Sequence, residues 1–170
     1  MPSVVADAKA LSAATRRGVV RRLARGVYTN VLEGKPEHLI AAHLPAILAG
    51  LYPEWYLSHS TAATLRAVDG VAFISGDGRR TPIRFLPGVT VKRVRPHTHP
   101  ELVTIEVDTL VARRVSDEPV PARVRLSSPL QVVFELLSPD RRQPERTLPD
   151  DSIAALVENL PDGDLNRAEA

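Results

Sequence analysis

A chain of 170 residues, 44% hydrophobic and 25% charged, is long enough for one well-buried core and has the balance of a soluble globular protein. Its net charge of +2 is too small to argue by itself for nucleic acid or membrane, and with no cysteine it has no disulfide or thiolate chemistry. No apolar run approaches the ~20 residues that span a bilayer and the N-terminus lacks a signal-peptide core, so a cytoplasmic protein with no membrane partner is expected.

In chain order, residues 3–17 read as a helix with Val4, Ala8 and Leu11 on one face and Arg16 and Arg17 near its C-terminal dipole. Gly18 supplies a left-handed stop. Residues 19–32 read as a strand pair turning near Arg25-Gly26, broken by Gly34-Lys35-Pro36, with Pro36 suited to a first helical turn. The next helix, 37–51, carries Pro45 inside it, which removes a backbone donor and kinks or splits the helix. Ser58 or Ser60 caps a short helix running through Val68, ended by Asp69-Gly70.

The remainder is β-rich. Short strands are expected at 71–75, 81–86 and 89–94, separated by "GDGR" and "PG" turns. Val103, Ile105 and Val107 alternate with polar residues, as Ala122, Val124 and Leu126 alternate with Arg123 and Arg125, marking half-buried strands. "SPLQVVFELLS" starts a helix at Ser128 with Leu130, Val133, Phe134 and Leu137 on one stripe, and a last amphipathic helix runs over 150–160. The sum is an α+β fold. A short N-terminal helix and basic winged hairpin (residues 1–34) pack on a mixed helix and sheet domain with a C-terminal helix (35–170), the two being separate units or one continuous domain. No internal repeat or low-complexity segment occurs.

Charge is unevenly placed. Residues 1–26 carry Lys9, Arg16, Arg17, Arg21, Arg22 and Arg25 against Asp7, whereas residues 150–170 carry Asp150, Asp151, Glu158, Asp162, Asp164 and Glu169 against Arg167. The arginine fork matches phosphate oxygens bidentately, so Arg16, Arg17, Arg21, Arg22 and Arg25 are candidate nucleic-acid contacts. The alternative is a solvated basic edge that deters strand-to-strand aggregation. Arg79, Arg80, Arg84, Lys92, Arg93 and Arg95 form a second basic group, one contiguous patch if their strands pair as hairpins; Arg79, Arg80, Lys92 and Arg93 join the candidate nucleic-acid set. With no aromatics interleaved, that group suits duplex backbone better than unpaired bases.

Other polar features carry no chemistry by sequence. Ser58-His59-Ser60 reads as a helix cap with a half-buried histidine, adjacent residues that do not meet as nucleophile and base, with no orienting carboxylate nearby. "HTHPE" at 97–101 lacks a third metal ligand, and His38 and His43 are five apart rather than at the i, i+4 of a zinc pair. "SGDGRR" lacks the lysine and following helix of a phosphate loop. No catalytic residue, cofactor or metal is expected.

Two motifs carry a family resemblance. "RRGVVRRLARGVYTN" (16–30) resembles the end of a recognition helix plus wing in the winged-helix part of AbiEi-type antitoxins, the DNA-binding antitoxins of type IV toxin–antitoxin systems, with Gly26-Val27-Tyr28 closing the wing. "LSHSTAATL" (57–65) looks like that family's Ser-His-x-(Ser/Thr)-Ala-Ala helix start, and "DGVAFISG" (69–76) like its first central strand. The order of these motifs, followed by "RRQPERTLPDDSIAALVENL" (141–160), is also similar to the AbiEi-like N-terminal region of some large Fic-family proteins. The Fic loop His-Pro-Phe-x-x-Gly-Asn-Gly-Arg is absent, so no AMP transfer is carried over. The resemblance implies a non-enzymatic regulator that binds double-stranded DNA, represses its own operon and answers to a toxin. The alternative it implies is an accessory or protein-recognition module with a Fic-domain partner and no DNA contact. Only one helix precedes Gly18, where a helix-turn-helix needs two more to brace its recognition helix, so phosphate contact is expected ahead of base reading.

Overall fold

The computed structural model of the chain describes residues 8–76, 85–96, 99–107, 121–137 and 148–161. Its helices are α1 (Ala8–Arg16), α2 (Pro36–Ala42), α3 (Leu44–Leu51), α4 (His59–Thr64), α5 (Pro129–Leu137) and α6 (Asp150–Glu158). Its strands are β1 (Arg21–Ala24), β2 (Val27–Thr29), β3 (Tyr56–Leu57), β4 (Val71–Ser75), β5 (Phe85–Leu86), β6 (Val89–Val94), β7 (Leu102–Val107) and β8 (Ala122–Ser127). The fold is α+β. Strands β1 and β2 form their own antiparallel hairpin, and the other six make one mixed sheet in the order β5-β6-β4-β3-β8-β7. Within it β4 runs parallel to β6 and β3 parallel to β8, while the remaining neighbours are antiparallel.

Strand alternation assigns the two faces of the sheet. Ala72 and Ile74 of β4, Val89 and Val91 of β6, and Val124 and Leu126 of β8 join Ile40, Leu44 and Leu48 of α2 and α3 in the main core. The intervening residues Phe73, Ser75 and Ser127 point to the opposite face, where α4 and α5 lie: the Phe73 ring sits 5.7 Å from that of His59, and Ser127 bonds Glu135. Helix α6 covers α5 through a smaller cluster of Leu160 with Leu130 and Val133. The hairpin is joined to the same body. Val27 belongs to the main buried cluster, and Leu23 and Ala24 pack against it, so apolar contact is continuous across residues 33–35.

Several local expectations have visible causes. Pro45 splits its helix rather than bending it: the chain breaks at His43 (φ −120°, ψ 19°), and Pro45 falls in the first turn of α3, where its missing donor costs nothing. Pro36 opens α2 in the same way. Ser128 starts α5, its Oγ accepting from the Gln131 N–H at 3.2 Å as an N-cap.

Three expectations are corrected. Helix α4 ends at Thr64, not Val68, because Leu65 turns left-handed (φ 55°) and Thr64 Oγ1 takes up the Arg66 N–H instead of leaving it to a helix. Ser58 is its N-cap residue but makes no side-chain cap bond. On α5 the expected stripe is rotated: Leu130 and Val133 are buried, but Phe134 and Leu137 are exposed, and Val132, Glu135 and Leu136 are buried in their place. Of the strand expected over 81–86, Phe85 and Leu86 lie within the described residues and form β5. Strand β3, which no sequence pattern announces, occupies the middle of the sheet.

Candidate nucleic-acid interface

The basic segment at 16–30 is built by three local devices. Helix α1 ends in a Schellman motif, with Gly18 N–H donating to the Thr15 carbonyl and Val19 N–H to the Ala14 carbonyl, Gly18 standing at φ +70°. That stop places Arg16 and Arg17 at the carbonyl end of the helix and turns the chain directly into β1. Strand β1 carries a bulge at Leu23, since Arg22 pairs with Tyr28 and Ala24 with Val27. The two-residue loop Arg25-Gly26 then reverses the chain, with Gly26 at φ +80°, where a Cβ would meet the Leu51 Cδ2 at a tight 3.2 Å. The hairpin tip is thereby pressed against α3, and Arg25 is held at the turn.

Of the five arginines of this segment, Arg16, Arg17, Arg22 and Arg25 are exposed and Arg21 is not. Arg22 Nε donates to the Ala24 carbonyl at 3.1 Å. Arg21 Nη2 donates to the carbonyls of Glu33 and Gly34, each at 2.8 Å, and its Nε is buried without a hydrogen bond.

Of the second basic group, Lys92, Arg93 and Arg95 are among the described residues. Arg79, Arg80 and Arg84 lie outside the described residues. Lys92 and Arg93 are consecutive in β6, so they point to opposite faces: Lys92 pairs in register with Phe73 and Arg93 with Ile74. Arg93 is held close to the sheet, its guanidinium 4.6 Å over the Trp55 ring and its Nη2 donating to the Gly76 carbonyl at 3.3 Å. It clips the end of β4 to the turn before β3.

A polar cluster stands apart from the arginines. Every buried polar or charged residue among those described (Ser58, His59, Ser60, Thr61, Ser75, Ser127, Ser128 and Glu135) gathers where α4 and α5 meet the sheet. Glu135, whose side chain is 1% exposed, accepts from the His59 backbone N–H at 2.7 Å and from Ser127 Oγ at 2.9 Å, and His59 Nδ1 lies 3.6 Å from the same carboxylate. Ser75 Oγ donates to Ser58 Oγ at 2.9 Å. The Phe73 N–H, left over where the chain leaves β3, donates to Thr61 Oγ1 at 2.8 Å.

A carboxylate thus does stand beside His59, supplied from 76 residues away rather than from its neighbourhood, and it accepts from the backbone N–H while Nδ1 lies 3.6 Å off. The signal was a lone acidic residue inside the otherwise apolar run "VVFELL". Ser58, Ser60 and Thr61 are fully enclosed, and Ser58 faces Ser75. The notch on the other face, lined by Leu48, Tyr52, Trp55, Tyr56, Val124 and Arg125, holds about 10 Å³, room for one water at most. Among the described residues no three metal-ligating side chains converge, and no helix is long and apolar enough to cross a membrane. Comparison with protein-family models, with curated proteins and with solved structures finds no match to the chain.

Proposed function

We propose that this chain is a non-enzymatic, AbiEi-like regulator that contacts duplex DNA through α1 and the β1–β2 hairpin and represses its own operon. The observation that carries the reading is that Arg16, Arg17, Arg22 and Arg25 are all exposed on one continuous helix–turn–hairpin unit. Four guanidinium groups on so short a segment suit the regularly spaced phosphates of a duplex, and they do not need the helical bracing that base reading demands. The six-stranded sheet with its helices is the platform on which that unit is mounted, through Val27 and Gly26. The resemblance of the motifs at 16–30, 57–65 and 69–76 supports the same assignment and supplies a toxin as the protein partner.

The test is a salt titration with a labelled duplex carrying the sequence upstream of its own gene. Each phosphate contact contributes a slope of about −0.9 in log K against log salt. The double variant Arg22→Ala with Arg25→Ala is expected to flatten the slope by about 1.8 and to weaken binding at low salt. Absence of binding at about 50 mM salt, or a slope unchanged in the double variant, rejects the DNA reading and leaves the accessory module of a Fic-type system.

A further inference from the structure

We infer that Arg21, although it lies in the middle of the basic segment, is not a phosphate contact but the positioning residue that holds the hairpin in place. The inference rests on the DNA reading for its consequence and on geometry for its content. A guanidinium has two bidentate faces, one formed by Nε with Nη2 and the other by Nη1 with Nη2, and both need Nη2. In Arg21 that nitrogen donates to two carbonyls at once, Glu33 and Gly34, at 2.8 Å each. Its Nε is buried in protein with no hydrogen-bond partner. Both forks are therefore closed to a phosphate.

The same contacts give the residue a task. Arg21 opens β1, opposite Thr29 at the end of β2. After Thr29 the chain folds back, the Val31 N–H donating to Thr29 Oγ1 at 3.0 Å, and residues 33 and 34 present their carbonyls to the guanidinium just before α2 begins at Pro36. One side chain thus ties the base of the hairpin to the segment that leads into the main body. At the far end the hairpin is fixed by apolar contact, Val27 in the core and the Gly26 turn against Leu51. A hairpin of four- and three-residue strands is too short to stand alone in water, so these two fastenings set where Arg22 and Arg25 point. The phosphate-contacting set is Arg16, Arg17, Arg22 and Arg25, with Arg21 acting through them.

Two measurements on the full chain test this. In hydrogen exchange without DNA, Arg21→Met is expected to speed exchange of the β1–β2 amides by about tenfold or more, the loss of two charge-assisted hydrogen bonds. Arg21→Lys, whose ammonium still donates to both carbonyls, is expected to restore most of that protection, and Arg25→Met, at a side chain with no hydrogen bond to the hairpin, to leave it unchanged. In the salt titration, Arg21→Met is expected to lower affinity at every salt concentration with the slope unchanged, whereas Arg22→Met lowers the slope by about 0.9. A slope that falls equally in the two variants, or hairpin exchange that ignores Arg21→Met, overturns the assignment. If the wild-type chain binds no duplex, the DNA reading fails, and the exchange experiment alone decides whether Arg21 fastens the hairpin.

Discussion

His59 holds a backbone conformation that residues with a Cβ avoid, φ +53° at the first position of a helix. Three contacts impose it. Ser58 is stretched as a continuation of β3, its N–H donating to the Phe73 carbonyl at 3.2 Å, while the next N–H is pulled to Glu135 at 2.7 Å and the imidazole is laid against Phe73. The strain has a measurable sign. At an ordinary helical position glycine is worse than alanine by about 1 kcal/mol. At position 59 the order is expected to invert, His59→Gly being more stable than His59→Ala by about 1 kcal/mol, because only glycine accepts the left-handed region freely. Urea unfolding of the two variants reads the difference directly, and alanine proving the more stable would mean that the contacts do not enforce the geometry. Sequence reasoning placed a helix start here and expected a serine cap. The strain and the carboxylate were out of reach, because both come from Glu135 on a helix brought in by the fold.

At the scale of elements, Glu135 is the joint between α5, α4 and β8. One oxygen accepts from the first backbone N–H of α4, the other from Ser127 at the end of β8, and Gln131 Nε2 approaches at 3.5 Å from the preceding turn of α5. Buried carboxylates add little net stability when compared with a well-packed apolar core, but deleting one partner strands the others. Glu135→Ala is therefore expected to cost about 3–5 kcal/mol. Glu135→Gln, whose amide oxygen still accepts from His59 and whose NH2 donates to a reoriented Ser127, is expected to cost about 1 kcal/mol. The urea midpoint should move in that order with the m-value unchanged, and a loss in Glu135→Ala no larger than in Glu135→Gln would remove the joint. The elements themselves were legible where a period or a breaker marks them: β7 and β8 from alternation, β4 and β6 from the turns that bound them, the α2–α3 split from Pro45, the end of α1 from Gly18. Their assembly was not. Strand β3 is two residues long, too short for any period, yet it pairs β4 on one side and β8 on the other. Without it, the parallel pairing and the approach of α5 to α4 have no antecedent in the local pattern.

For the whole molecule, the decisive quantity is where charge sits, since the net value is only +2. Pairing within the sheet turns Lys92 away from Arg93, and Arg93 lies on Trp55, whereas Arg16, Arg17, Arg22 and Arg25 stand exposed together from the end of α1 through the hairpin. Opposed to them is the acidic end of the chain. Part of that acidity belongs to α6, which packs through Leu156, Val157 and Leu160 on α5, so a cut before Asp150 would strip apolar surface as well as charge. Residues 162–170 carry Asp162, Asp164 and Glu169 against Arg167 and are a cleaner lever. A chain ending at Pro161 gains two units of positive charge and retains Leu156, Val157 and Leu160, which pack on α5. If long-range repulsion between that segment and DNA matters, the truncated chain should bind duplex more tightly at low salt. The gain should fade as salt rises toward about 0.15 M, where exposed charges further apart than about 8 Å are largely screened from each other. A gain that persists undiminished at high salt would instead indicate direct contact between the acidic segment and the arginines. No gain at any salt would mean that the basic hairpin meets DNA beyond reach of the acidic end.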